Sequence, residues 1–259
     1  MKKDFEVLTY KFPRGRDIKI VPISDIHIGS AESMPYAFKR FCEKVAEEED
    51  TYVILNGDLI DNSIIGSKGD TYRCMSPLEC KELLYEALKP IKDKILCITE
   101  GNHERRSARN TDTYIGYDIA CRLGIEDKYR PNACFVIIRF DDDSKDYRIN
   151  GKDRPTYTIC ATHGAGSTFA RFERFGYAID NLDVLVVGHT HKPMIGKRGK
   201  LVFDTHNNRV SEKPFHICAA GSWLNSGGYA LSAMYQPGNT AMSTINLCST
   251  SKYLSITQA

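Results

Sequence analysis

The sequence predicts an α/β domain in which two β-sheets pack against each other and helices cover them. Three observations support this prediction. In the first half of the chain, short apolar runs alternate with amphipathic stretches, an order typical of parallel sheets. In the second half, β-rich runs dominate and a single helical stretch interrupts them. The sequence contains neither an internal repeat nor a low-complexity linker, so we expect residues 1–259 to form a single domain.

Three strands and three helices are predicted in alternation over the first half. The helix at 35–49 has apolar residues at helical spacing, which predicts one buried face. The helix at 77–88 starts with a proline, a residue favoured in the first turn. The helix at 113–123 is followed by Gly124, and glycine is favoured just beyond a helix C-terminus. The intervening strands are predicted at 18–23, 52–55 and 95–99.

The second half is predicted to be mainly β-structure. Strands are expected at 135–140, 156–161, 184–187, 201–204 and 214–219, with one helix at 167–179. The polar segment 141–155 is expected to be an exposed connection between the first two of these strands. The residues from 227 onward are rich in Gly, Ser, Thr and Asn, and we expect them to finish the second sheet.

Composition and charge exclude several classes of protein. The 35 Lys and Arg residues nearly balance the 33 Asp and Glu residues, giving a formal net charge of +2. This balance argues against a protein that coats nucleic acid, but it permits a phosphorylated substrate or a local basic groove. No run approaches the ~18 apolar residues of a membrane span. The N-terminal lysines are not followed by an apolar run, which argues against a signal peptide, and the nine cysteines are scattered, so we expect a reduced cytoplasmic protein without a membrane partner.

Five short polar segments carry the chemistry, and nearly all of them follow a predicted strand. They are DIH at 25–27, GDLID at 57–61, GNHE at 101–104, THG at 162–164 and GHTH at 188–191. Five of the seven histidines lie in these segments. Because α/β sheets place functional groups beyond the carboxyl ends of their strands, we expect the five segments to lie close together.

The residue types in these segments suit divalent metal ions. Carboxylate, imidazole and amide ligands together favour Mn, Fe, Zn or Ni. The absence of cysteine from the segments argues against a structural zinc site. Seven ligands are too many for one tetrahedral ion, but they suit two ions that share a carboxylate. Two such ions about 3.5–4 Å apart can clamp a phosphate and acidify a bridging water.

The ordered set of motifs resembles the calcineurin-like metallophosphoesterases, over residues 25–191. The resemblance implies a four-layer α-β-β-α sandwich with two mixed sheets. It also implies two divalent cations, with manganese favoured and Fe, Zn or Ni as alternatives. One ion would be bound by Asp25, His27, Asp58 and His191. The other would be bound by Asp58, Asn102, His163 and His189, so that Asp58 bridges the two.

The same resemblance implies roles for two further residues and a class of reaction. His103 would be the general acid that protonates the leaving oxygen, and Asp61 would orient it. The expected activity is hydrolysis of a phosphodiester or phosphomonoester by a metal-bridging hydroxide. A nucleotide or nucleic-acid phosphodiesterase is favoured, because Asn62 stands where the serine/threonine phosphatase branch has an arginine and because GHTH is typical of diesterases.

Several alternatives stay open from the sequence. A protein serine/threonine phosphatase and a non-catalytic scaffold of the same fold are the competing functions, and the oligomeric state is undetermined. Arg105, Arg106 and Arg109 could bind phosphate oxygens or could form a solvated helix entry. The segment 169–177 interleaves Phe and Arg, which suits either a surface for stacking bases or an amphipathic helix packed on the core.

Overall fold

Two mixed β-sheets and five α-helices make up the described part of the chain in a computed structural model. The structure describes residues 3–65, 67, 74–141, 154–166, 168–227, 231, 234 and 240–258. The helices are α1 Pro35–Glu47, α2 Pro77–Leu88, α3 Glu104–Thr111, α4 Ile115–Leu123 and α5 Phe169–Tyr177. Within these residues, no helix has both the length and the apolar character needed to cross a membrane.

The first sheet has five strands in the order β11-β10-β2-β3-β4. Their bounds are β2 Ile18–Ile23, β3 Thr51–Asn56, β4 Ile95–Thr99, β10 Ser243–Leu247 and β11 Leu254–Gln258. Strands β2, β3 and β4 are parallel, whereas β10 runs antiparallel to both β2 and β11. The prediction that the C-terminal region finishes the second sheet is therefore wrong: β10 pairs with β2, so β10 and β11 extend the sheet that the first-half strands form.

The second sheet has six strands in the order β1-β5-β6-β7-β9-β8. Their bounds are β1 Leu8–Pro13, β5 Cys134–Asp141, β6 Thr156–Thr162, β7 Val184–Val187, β8 Met194–Asp204 and β9 Arg209–Ala219. Strands β6, β7 and β9 are parallel to one another, and β8 and β9 form a long antiparallel hairpin. The predicted connection 141–155 lies largely outside the described residues, as does Ser167 at the start of the predicted helix 167–179.

Local signals explain where several helices begin and end. The Ser76 side chain accepts a hydrogen bond from the backbone of Glu79, and the Glu79 carboxylate accepts one in return from the Ser76 backbone. This reciprocal cap starts α2 at the predicted proline. Gly124 has a φ of 71° and ends α4 in the left-handed conformation that glycine favours. The predicted helix at 113–123 is shorter than expected, and α3 precedes it over residues that were not predicted to be helical.

Three clusters of buried apolar residues hold the elements together. One lies between the five-stranded sheet and helices α1, α2 and α4, and Phe38 is among its largest side chains. Another joins the inner faces of the two sheets around Tyr157. The third packs α5 onto β7 and β9 around Phe215. Each of these rings is fully buried, and such burial contributes about 1.5–3 kcal/mol per side chain.

Candidate metal centre

The five motif segments meet at the carboxyl edge of both sheets. Strands β2, β3 and β4 end side by side, because Ile23 pairs with Leu55 and Asn56 pairs with Thr99. In the other sheet, Thr162 pairs with Val187, so the segments after β6 and β7 also emerge together. The Asn56 side chain donates to the Thr162 carbonyl at 3.0 Å. This hydrogen bond ties the two sheets together beneath the site.

Three groups of side chains bring their ligand atoms within 4.8 Å of one another. They are Asp25 with His27 and His191, His27 with Asp58 and His103, and Asp58 with His163 and His189. Six of the seven predicted metal ligands lie in these groups, and His27 and Asp58 each belong to two of them. This arrangement suits a carboxylate shared between two adjacent ions.

The backbone at the site is held in a conformation that few residues adopt. Five of the predicted ligands have positive φ angles: Asp25 at 54°, His27 at 49°, Asp58 at 50°, His189 at 68° and His191 at 54°. Such a conformation costs on the order of 1–3 kcal/mol per residue and persists only where surrounding contacts hold it in place. The His27 N–H donates to the Asp58 carbonyl at 3.0 Å, and the His189 N–H donates to Asp25 Oδ2 at 2.9 Å.

Two glycines allow the motif segments to approach closely. A Cβ atom on Gly101 would overlap the Asp58 carboxylate, and one on Gly188 would overlap the Ser24 hydroxyl and press on His163 Nδ1. Any larger residue at either position would therefore displace a predicted ligand. The glycines in GNHE and GHTH are needed for space rather than for a turn conformation, because neither has a positive φ.

Two buried ligand atoms lack a hydrogen-bond partner among the described residues. They are Asp25 Oδ1 and His163 Nε2, on side chains that are 0% and 1% exposed. The nearest opposing atoms lie 3.2 Å away, on His191 and Asp58 respectively, without forming a hydrogen bond. A buried polar atom without a partner costs about 1–3 kcal/mol. A divalent cation would provide the missing partner for both atoms, so the residues at this site fit metal ions.

Hydrogen bonds on the other side of the His163 ring orient it toward the site. Its Nδ1 lies 2.8 Å from the Asn56 carbonyl and 3.3 Å from the Ser24 hydroxyl. When Nδ1 carries the proton and donates to the carbonyl, Nε2 is left as the lone-pair nitrogen. Histidine ligands are commonly oriented in this way by a backbone carbonyl. The His27 and His191 rings also aim their Nε2 atoms at one point, 3.3 Å apart.

The aspartates and histidines of the site strongly perturb one another. Burial alone would raise the pKa of Asp25, but the charge of His163 and the close approach of the His191 and His27 rings lower it well below its usual value. Burial would lower the pKa of His27, yet Asp25, Asp61 and Asp58 together raise it to about 10. The site thus concentrates negative charge that must be balanced by protons or by a bound cation.

His103 lies at the edge of the cluster, with 17% of its side chain exposed. Its Nδ1 is 2.7 Å from the backbone carbonyl of Asp61 and 3.3 Å from the Asp61 carboxylate. Its Nε2 is 2.9 Å from an Arg106 guanidinium nitrogen. A guanidinium can only donate, so Nε2 carries no proton in this arrangement. The Asp61 carboxylate also lies 3.6 Å from His27 Nδ1, so it contacts two histidines.

Comparison with protein families identifies the fold. The family model described as calcineurin-like phosphoesterase matches residues 18–193, which is more than half of the chain. The chain belongs to the calcineurin-like phosphoesterase family. A search of curated proteins gave no match. The family that the five motifs indicated is therefore confirmed.

The chain is similar to several solved structures at low sequence identity. A conserved uncharacterized protein of Streptococcus pneumoniae, predicted to be a phosphoesterase, is 13% identical with a TM-score of 0.39, covering 94% of this chain and 99% of that one. A candidate 5′-nucleotidase of Staphylococcus aureus is 14% identical (TM-score 0.40; 94% and 53% covered). The NAD nucleotidase of Haemophilus influenzae is 12% identical (TM-score 0.39; 93% and 49% covered). The chain therefore spans about half the length of the two nucleotidases.

Asn102 is the predicted ligand that the structure places differently from the others. It is exposed, whereas Asp25, Asp58 and His163 are almost fully buried. Its neighbours lie against Asp58, because Gly101 packs on that carboxylate and the His103 N–H donates to Asp58 Oδ1 at 2.8 Å. Asn102 is therefore positioned at the mouth of the site, and its role as a ligand stays a prediction.

Glu104 is a residue of the GNHE motif to which the sequence gave no role. It is 1% exposed, and its carboxylate accepts four backbone hydrogen bonds. The donors are Asp58 at 2.9 Å, Leu59 at 2.7 Å, Ile60 at 3.2 Å and Gly101 at 2.9 Å. Glu104 therefore joins the segment after β3 to the segment after β4. The GNHE motif was the only sequence signal for a role of Glu104, and its hydrogen-bond donors can be identified only from the structure.

The three arginines after His103 divide into two groups. Arg106 points toward the site, where it donates to the Asp61 carbonyl at 3.0 Å as well as to His103. Arg105 points away and donates to the carbonyls of Pro131 and Glu100 at 3.3 and 3.5 Å. Arg109, one turn further along α3, is exposed. Only Arg106 is therefore placed to meet a phosphate at the candidate metal centre.

The segment 169–177 forms α5, and its aromatic residues are divided between core and surface. Phe172 is 3% exposed and belongs to the cluster with Phe215, and Phe169 packs partly against it. A Cβ on Gly176 would overlap the Phe215 ring. Phe175 and Tyr177 remain 41% and 46% exposed. The helix is thus anchored as an amphipathic element, which agrees with the second of the two alternatives.

Proposed function

We propose that this protein hydrolyses phosphate esters with the help of two divalent cations, and that its substrate is a nucleotide or nucleic-acid phosphodiester. The observation that carries this proposal is that six predicted ligands lie in overlapping groups linked by His27 and Asp58, with the buried Asp25 and His163 atoms lacking a partner among the described residues. When bound, two divalent ions would acidify a water molecule and neutralise charge on the phosphate oxygens. Manganese is the favoured metal, since carboxylate and imidazole ligands both suit it.

His103 is proposed to protonate the leaving oxygen. Its Nδ1 lies 2.7 Å from the Asp61 carbonyl and 3.3 Å from the Asp61 carboxylate, so Asp61 would orient the ring. Proton donation requires a proton on Nε2, which in this arrangement faces Arg106. A substrate phosphate offers the Arg106 guanidinium a charged acceptor in place of the imidazole. Arg106 would then release Nε2 as the substrate binds.

The environment of Asn62 favours a diesterase over a protein serine/threonine phosphatase. That phosphatase branch has an arginine at this position. Asn62 is fully buried here. Its side chain donates to the His103 carbonyl at 2.6 Å and accepts from the Ser107 hydroxyl at 3.1 Å. The residue therefore holds the His103 segment and offers no cation to a doubly charged monoester.

The dependence on the leaving group tests the role of His103. Replacing it in His103→Asn should leave the metal content unchanged and slow turnover of a dinucleotide by ~10² to 10⁴, the usual range for loss of a general acid. The slowing should be smaller on bis(p-nitrophenyl) phosphate, because p-nitrophenolate leaves without a proton. His206→Asn, at an exposed position between β8 and β9, is the matched control and should behave as wild type.

Two results would contradict the proposal in different ways. Loss of metal from His103→Asn, measured by elemental analysis, would mean that His103 is a ligand, as its grouping with His27 and Asp58 also permits. Wild-type protein that holds metal but hydrolyses neither diesters, monoesters nor phosphopeptides would instead indicate a scaffold of the same fold. Turnover of phosphopeptides in preference to every nucleotide would favour the phosphatase alternative.

A further inference from the structure

A cavity of about 860 Å³ lies beside the candidate metal centre, and none of the predicted site residues lines it. Its walls include Glu100 at the end of β4, Arg105 and Arg109 on α3, and a set of three tyrosines. The tyrosines are Tyr114, Tyr117 and Tyr129. The volume is within the range of pockets that hold small organic ligands, about 300–1,000 Å³.

The cavity and the metal centre share one edge of the protein. Glu100 directly precedes Gly101, whose N–H donates to the Glu104 carboxylate that also holds Asp58. Asn132, another lining residue, accepts a hydrogen bond at its carbonyl from Thr162, the residue before His163. The cavity therefore adjoins the segments that carry Asn102, His103 and His163.

The aromatic rings of the cavity suit a flat ligand. Tyr114 and Tyr117 are 42% and 39% exposed, which is high for aromatic side chains. Tyr117 packs against the buried Tyr129 ring with the centroids 5.5 Å apart, so its orientation is supported from behind. Nucleobases stack on such rings without regard to sequence, because every base has a π-face.

Polar groups complement the rings. The Tyr129 side chain is 4% exposed, and its hydroxyl contacts the buried Glu100 carboxyl. Burial and that negative charge raise the pKa of Tyr129. Arg105 is held only by two long hydrogen bonds to carbonyls. The cavity therefore offers a buried hydroxyl and a cation that a polar ligand could engage.

We propose that this cavity binds the nucleoside part of a phosphate ester whose phosphate lies at the metal centre. The inference rests on the proposed function and specifies its substrate class. A nucleoside combines a flat ring with hydrogen-bonding edges and ribose hydroxyls, and the cavity combines tyrosine rings with carboxylates and a buried hydroxyl. Aspartate and glutamate commonly bind ribose hydroxyls in nucleotide sites, and Asp112 and Asp118 line this cavity as well.

Paired substrates test the inference. Tyr114→Ala should raise KM about tenfold for the p-nitrophenyl ester of thymidine 5′-monophosphate, since one stacking contact is lost. The same change should leave kcat/KM on bis(p-nitrophenyl) phosphate within twofold of wild type, because that substrate has no nucleoside. Tyr114→Phe keeps the ring and should retain the wild-type KM. Tyr36→Ala on α1, where the tyrosine is 83% exposed, is the control and should change neither substrate.

Binding to the chelator-treated protein separates this inference from the proposed function. Thymidine 5′-monophosphate should bind without metal, as measured by saturation-transfer NMR, and Tyr114→Ala should weaken its binding about tenfold. If Tyr114→Ala loses kcat/KM equally on both esters, or binds the nucleotide as wild type does, the cavity is not a nucleoside site, even if the wild type is an active diesterase. An inactive wild type that still binds the nucleotide through Tyr114 would contradict the proposed function alone.

Discussion

Glu104 provides a quantitative test of how the site is built, because one carboxylate accepts hydrogen bonds from four backbone groups. One oxygen accepts from Leu59 and Ile60, and the other accepts from Asp58 and Gly101. The Glu104→Gln substitution preserves the size of the side chain. It also replaces one acceptor oxygen with an amide that can only donate.

The expected cost follows from the donors that lose their acceptor. Whichever oxygen is replaced, two buried N–H groups face an NH₂ group instead of an oxygen. Each hydrogen bond to a charged group contributes about 1.5–3 kcal/mol. We therefore expect Glu104→Gln to lower the free energy of unfolding by about 3–6 kcal/mol. The loss should also loosen the segment that carries Asp58 and so weaken metal binding.

Urea unfolding followed by far-UV circular dichroism measures this cost. The measurement is made in chelator, so that loss of metal does not contribute. Glu43→Gln is the matched control, because Glu43 is exposed on α1, and surface substitutions usually stay within about 0.5 kcal/mol. If Glu104→Gln is no less stable than Glu43→Gln, the four hydrogen bonds do not hold the two segments together and the reasoning is refuted.

Three further predictions concern the metals and α5. Asp58→Asn should reduce occupancy of both metal sites, whereas Asp25→Asn should mainly reduce occupancy of one. If elemental analysis shows that the two variants lose the same amount of metal, Asp58 is not the bridge. Chelation should lower the melting temperature, and added Mn²⁺ should restore it, because ligands stabilise the state they bind; an unchanged melting temperature would contradict this. Phe172→Ala should destabilise the fold by about 3–5 kcal/mol. Phe175→Ala should destabilise it far less, because Phe175 is 41% exposed. If urea unfolding shows similar losses of stability for the two variants, the packing of α5 is refuted.

The convergence of the motif segments could be predicted from the sequence because its signals are local. Each motif follows a strand whose apolar run is visible in the sequence, and parallel strands bring their carboxyl ends together. The pairing of Ile23 with Leu55 and of Thr162 with Val187 realises this expectation in both sheets. The function of Glu104 could not be predicted in the same way, because three of its four hydrogen-bond partners lie 44 to 46 residues away in the sequence.

Parts of the fold were missed for identifiable physical reasons. In strand β1, half-buried Leu8, Tyr10 and Phe12 alternate with exposed residues, which is a strand pattern. The charged residues on either side of this short run made the pattern difficult to recognise in the sequence. Strand β8 begins at Met194, seven residues before the predicted start at 201. Its first half contains two glycines and three basic residues, which disfavour a strand. Pairing with β9 over its whole length compensates for this weak local preference.

The most direct test of the account is the dependence of bis(p-nitrophenyl) phosphate hydrolysis on manganese. Protein stripped with a chelator should be inactive, and titration with Mn²⁺ should restore activity up to two equivalents per chain, because Asp58 takes part in two ligand groups. Full activity in the stripped protein, with elemental analysis confirming the absence of metal, would contradict the account. Activity that saturates at one equivalent would contradict the two-metal assignment.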